Sequence, residues 1–85
     1  MRVLFVDDDE LNQKTGQAIL QRITEDFVIV GSAKEAIAKA QEFEPDVILM
    51  DIAMPNIDGI EATRLIRQLN LSRSPYILGI SGFIA

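Results

Sequence analysis

Asp7, Asp8 and Asp9 follow the apolar run Val3-Leu4-Phe5-Val6, Asp51 follows Val47-Ile48-Leu49-Met50, and Ser81 comes shortly after Tyr76-Ile77-Leu78. If each run is a strand of one parallel sheet, these side chains gather on a single rim. Carboxylates brought together repel, and each raises its neighbours' pKa unless a cation neutralises them. Oxygen donors alone suit a hard divalent ion such as Mg²⁺. The chemistry usual in such a place is phosphoryl transfer, in which a carboxylate acts as nucleophile and becomes an aspartyl phosphate while the metal offsets charge on the phosphoryl oxygens. An acid behind a strand also has a plainer use as a helix cap. Asp9 and Asp58 read as caps because each precedes a helical segment. Ser81 fits a turn hydroxyl and a phosphate contact equally well.

The elements that must position these residues follow from periodicity. The runs Val3-Leu4-Phe5-Val6, Phe27-Val28-Ile29-Val30, Val47-Ile48-Leu49-Met50 and Tyr76-Ile77-Leu78 lack polar alternation. Strands covered on both faces have that pattern, which indicates a parallel sheet between helical layers. Between them lie three helical segments. The first carries Leu11, Thr15, Ala18, Ile19, Arg22 and Ile23 as its stripe, behind Asp9. The second carries Ala33, Ala36, Ile37 and Ala40 behind a capping box of Ser32 and Glu35. The third starts at Asp58 and shows Ile60, Ala62, Leu65, Ile66 and Leu69. Alternating strand and helix selects an α/β fold with right-handed crossovers, and its site belongs at the carboxyl ends of the strands.

Composition narrows the class. Eighty-five residues make one domain, spanning 1–85, and a chain this short has a thin stability margin. The net charge of −5 and the scattered basic residues argue against a nucleic-acid surface. There is no cysteine, so neither disulfide nor thiolate metal site is available, and a cytoplasmic location is expected. Apolar runs reach only about five residues, against the roughly 20 needed to cross a bilayer, so no membrane contact is expected of this segment.

Three blocks carry a family resemblance: Val6-Asp7-Asp8; Leu49-Met50-Asp51-Ile52-Ala53-Met54-Pro55-Asn56-Ile57-Asp58-Gly59; and Ile80-Ser81-Gly82. Together they resemble the receiver domain of response regulators in two-component signalling. Leu11-Asn12 and Gly59-Ile60-Glu61-Ala62-Thr63-Arg64 are most similar to receivers attached to hybrid sensor histidine kinases. The resemblance implies a flavodoxin-like doubly wound parallel sheet. It implies that Asp51 accepts a phosphoryl group from a phosphohistidine on a histidine kinase or histidine phosphotransfer domain, in a phosphorelay and not as a turnover enzyme. Asp8 and Asp51 would bind Mg²⁺ through their carboxylates and Ala53 through its backbone carbonyl, with Asp7 acting mainly through metal-bound water. Ser81 would be the switch hydroxyl. Met54 and Pro55 would shape the loop, and Gly59 would let the chain enter the third helix closely. The location would be cytoplasmic, either free-standing or as the cytoplasmic part of a membrane-bound sensor kinase.

A receiver of this family has five strands in order 2-1-3-4-5, whereas this sequence accounts for 2-1-3-4, without the fifth strand, the last helices and the phosphate-pairing lysine. The fourth strand is thereby expected to expose an edge, beside an unfilled apolar groove. A longer chain, a shortened one, or a second copy or partner adding or exchanging a strand would each account for this. Two other functions compete. Asp7 and Asp9 have the D-x-D spacing of aspartyl-phosphate phosphatases of the haloacid dehalogenase type, although that reading leaves the 50–59 block unexplained. A receiver-like interaction module that is never phosphorylated is the other.

Overall fold

The computed structural model describes residues 1–52 and 59–80. Strand and helix alternate as β1 (Arg2–Val6), α1 (Glu10–Leu20), β2 (Asp26–Val30), α2 (Ala33–Phe43), β3 (Val47–Asp51), α3 (Gly59–Arg67) and β4 (Tyr76–Ile80). All strand pairs are parallel, in the order β2-β1-β3-β4, the first four positions of the expected doubly wound sheet. Each apolar run in the sequence lies within a strand, because parallel strands joined by helical crossovers are covered on their faces and dispense with polar alternation.

The two faces are covered unequally. On one, Leu4, Val6, Ile48 and Met50 pack against Ala36 and Ala40 of α2 and Ala62 and Ile66 of α3, all essentially without solvent exposure. Small alanines let both helices lie close to the sheet. On the other face α1 is the one helix among the described residues. There Val3, Phe5 and Leu20 form a smaller core bordered by the half-buried Phe27, Ile29, Leu49 and Ile80. Tyr76 and Leu78 of the edge strand β4 stand exposed.

The stripe expected for α1 is corrected by the structure. Leu11, Ala18, Ile19 and Ile23 are exposed, Arg22 and Ile23 lie beyond the end of the helix, and the buried positions are Gly16 and Leu20. The reason lies in β1: a Cβ on Gly16 would sit 2.9 Å from the Phe5 ring, so this face is chosen by what a large aromatic leaves free. A count of apolar residues passes over such a glycine. In α3, Ala62 and Ile66 are buried as expected but Ile60 is exposed.

Capping follows the sequence closely. Asp9 accepts from the Leu11 N–H at 2.8 Å, and Ser32 accepts from the Glu35 N–H at 3.1 Å, each satisfying a donor left open by the first helical turn. The amino ends of the strands are tied by Asp46, which accepts from the Arg2 N–H at 2.7 Å and pairs with Arg73 at 2.6 Å. The Arg2 guanidinium donates to the Phe43 carbonyl at 2.7 Å. This polar closure lies at the end of the sheet opposite the acidic rim.

Candidate metal centre

Register brings the acids together. Val6 pairs with Met50 across β1 and β3, so one residue further along Asp7 comes beside Asp51, the last residue of β3. One carboxylate oxygen from each of Asp7, Asp8 and Asp51 lies within 4.8 Å of the others. Oxygens on opposite sides of an octahedral Mg²⁺ stand about 4.2 Å apart, at roughly 2.1 Å from the ion. The three acids are thus close enough to share the shell of a single small divalent cation, directly or through a bound water, and the donor set is all oxygen. Asp7 is 1% exposed, Asp51 9%, and Asp8 open to solvent. The site thus has a buried floor and an accessible lip.

Asp7 is fixed more firmly than its neighbours in sequence. Its N–H donates to the Val30 carbonyl at 3.1 Å, and its carbonyl accepts from the Gln13 side chain at 2.7 Å. Its carboxylate accepts from the Asp9 N–H at 2.9 Å through Oδ1 and from the Asn12 amide at 3.1 Å through Oδ2. Burial pushes the Asp7 carboxyl above its ordinary 3.8; the Asp9 and Asn12 donors pull it back, and the charges of Asp51 and Asp8 push it further up. The protonated form is thus favoured by folding in the absence of a cation. Its stabilising contribution is complete below the ordinary pKa and is lost as pH rises through the raised folded value. The melting temperature of the metal-free protein should therefore include a loss on raising the pH from about 3 to about 7 that Asp7→Asn does not show. Calorimetry in the presence of a chelator checks this, and an Asn variant with the same pH profile as the wild type would contradict it.

Behind Asp51 the backbone is crowded. Gly59, the buried first residue of α3, lies so close that a Cβ there would overlap the Asp51 carbonyl oxygen and come within 2.5 Å of Ile52 Cα. The close entry into the third helix expected of Gly59 is what the backbone shows.

Of the acids singled out in the sequence, Asp7, Asp8 and Asp51 converge and Asp9 does not, since its side chain caps α1. The D-x-D reading loses its second acid in this way. Ala53, Met54, Pro55, Asp58 and Ser81 lie outside the described residues. Sequence reasoning missed the support given to Asp7 by Asn12 and Gln13. The available signal was two consecutive carboxamides in the first turn of a helix that begins directly behind the acids.

Among the described residues no helix is long and apolar enough to cross a membrane. Residues 3–84 match the family model described as the response regulator receiver domain. The response regulator protein VraR of Staphylococcus aureus is 46% identical over 71 residues, covering 80% of this chain and 34% of the relative. The chain thus spans about a third of the length of the curated relatives it matches. Among solved structures, the receiver domain of the histidine kinase CKI1 from Arabidopsis thaliana, complexed with Mg²⁺ and BeF₃⁻, superposes with a TM-score of 0.81 at 31% identity, over 95% of this chain and 65% of that one. A CheY-like receiver domain from Methylobacillus flagellatus shares the fold with a TM-score of 0.89 at 20% identity, over 96% of this chain and 70% of that one.

Proposed function

Because this chain belongs to the response regulator receiver domain family, the phosphoacceptor modules of two-component systems, we propose that Asp51 takes a phosphoryl group from the phosphohistidine of a histidine kinase or histidine phosphotransfer domain. The observation that carries this reading is the convergence of Asp7, Asp8 and Asp51 within 4.8 Å at the carboxyl ends of the two central strands. Acids so placed need a counter-ion, and their oxygens suit Mg²⁺.

In the proposed reaction an Asp51 carboxylate oxygen forms the new O–P bond as the P–N bond of the donor breaks, and the bonding electrons return to the imidazole nitrogen. Asp8 and Asp51 would hold the Mg²⁺ directly with the carbonyl of Ala53, and Asp7 would reach it through water. When bound, the ion offsets negative charge on the transferring phosphoryl oxygens. The Ser81 hydroxyl would turn toward the phosphoryl group after transfer. Residues 1–85 are read as the part of a receiver module up to its fourth strand, a module that would assist its own phosphorylation and dephosphorylation, working in the cytoplasm alone or as part of a sensor kinase.

The direct test is cation binding. Asp8→Asn removes one charge from the exposed lip without touching the core, and it should weaken Mg²⁺ binding at least about tenfold, since a direct ligand is lost. Titration of the wild type and the variant under NMR observation reads the change. Mg²⁺ affinity that is unaltered in Asp8→Asn would remove the proposed site.

A further inference from the structure

We infer that Asn12 is a positioning residue of the acidic rim: its carboxamide locks the rotation of the Asp7 carboxylate and gives the site its preference for Mg²⁺ over a larger divalent cation. This rests on reading the rim as a Mg²⁺ site. The main chain of Asp7 is held at both polar groups, its N–H by the Val30 carbonyl and its C=O by the Gln13 amide. The side chain retains the torsion that turns the carboxylate plane. The Asp9 N–H, 2.9 Å from Oδ1, holds one oxygen and leaves that plane free to swing about the contact. The Asn12 amide, 3.1 Å from Oδ2, holds the second oxygen and stops the swing.

The pattern of bonds also fits the work left to Asp7. An ionised carboxylate has about four acceptor positions, and two are taken here by neutral donors, one on each oxygen. One position on each oxygen stays open to accept from water in the shell of a cation. Asp8, next in sequence and exposed, is the ligand that can adapt. A rim that pairs a fixed carboxylate with an adaptable one discriminates by geometry. Mg²⁺ demands a near-ideal octahedron and keeps several waters, whereas Ca²⁺ accepts irregular shells of six to eight oxygens. A locked Asp7 therefore favours Mg²⁺, and an unlocked one loses the advantage without losing charge.

The test compares the two cations in the full-length chain. Asn12→Leu keeps the approximate volume and removes the donor; Asn12→Ala, with the best helix former, guards against a folding defect in the Leu variant. Under NMR-monitored titration, Mg²⁺ affinity should fall on the order of tenfold in both variants, the lower end for loss of an outer-shell partner, while Ca²⁺ affinity changes less than about twofold. A residue that only steadied α1 would leave both affinities alone or lower them by one common factor, and either result overturns the inference. A wild-type chain that shows no saturable Mg²⁺ binding is a separate outcome, which removes the rim as a metal site and the inference with it.

Discussion

Asp51→Asn is expected to abolish phosphoryl transfer to this chain, with no label above background when the full-length protein is incubated with a small phosphodonor and Mg²⁺. The substitution keeps the shape of the side chain at the end of β3 and removes its nucleophile, because an amide oxygen lacks the charge that attacks phosphorus. Neighbouring acids are poorly placed to substitute. Asp7 is nearly sealed from solvent and has both carboxylate oxygens engaged by donors, and Asp9 is committed to the cap of α1. Asp8 is exposed and, in the proposed site, is taken up as a ligand of the cation. The wild type should carry one acid-stable, base-labile phosphoryl group, as an acyl phosphate does. Labelling that survives Asp51→Asn, in a variant with an unchanged circular dichroism spectrum, would mean that another residue is the acceptor.

Gly59→Ala is expected to destabilise the fold by about 3–5 kcal/mol, the range of severe packing and backbone conflicts. Helix propensity alone predicts the opposite sign, because Ala is better than Gly inside a helix by about 1 kcal/mol. The neighbours decide the matter. The added methyl would meet the Asp51 carbonyl group at the end of β3 and the Cα of Ile52 just beyond it, and this backbone is held by pairing with β4 and by the Ile52 N–H bond to the Ile80 carbonyl, so it cannot step aside. Gly16→Ala makes the useful contrast: its methyl would meet the Phe5 ring, a side chain that can shift, so the loss there should be smaller. Urea unfolding of the full-length variants measures both. A Gly59→Ala protein as stable as wild type would show that α3 can stand off from Asp51.

What was legible in the sequence was what short-range chemistry dictates. Four apolar runs without alternation gave the strands, and the acids behind two of them gave the rim, because in a parallel sheet every strand delivers its carboxyl end to the same edge. The capping roles of Asp9 and Ser32 follow from side chains that reach only two or three residues onward. The buried face of α1 was not legible, since it depends on the fit of Gly16 to Phe5, a tertiary contact that carries no periodic signal. Asn12 and Gln13 were missed for a related reason. Their amides have ordinary surface-helix identities, and only the turn of α1 over the end of β1 aims them at Asp7.

The pairing of β1 with β3 has a kinetic meaning as well. Asp7 and Asp51 are far apart in the chain, with α1, β2 and α2 lying between them in sequence. Non-local pairing of this kind is slow relative to helix formation, since the loop must close before any contact rewards it. A slip of one residue between the strands would send the paired side chains to opposite faces and scatter the acids. A divalent cation at the proposed site would therefore bind only the correctly registered sheet, and at ten times its dissociation constant it would deepen that state by about 1.4 kcal/mol relative to misregistered competitors. An ion held at the proposed site would thus also proofread the fold, and refolding yield should rise with its concentration.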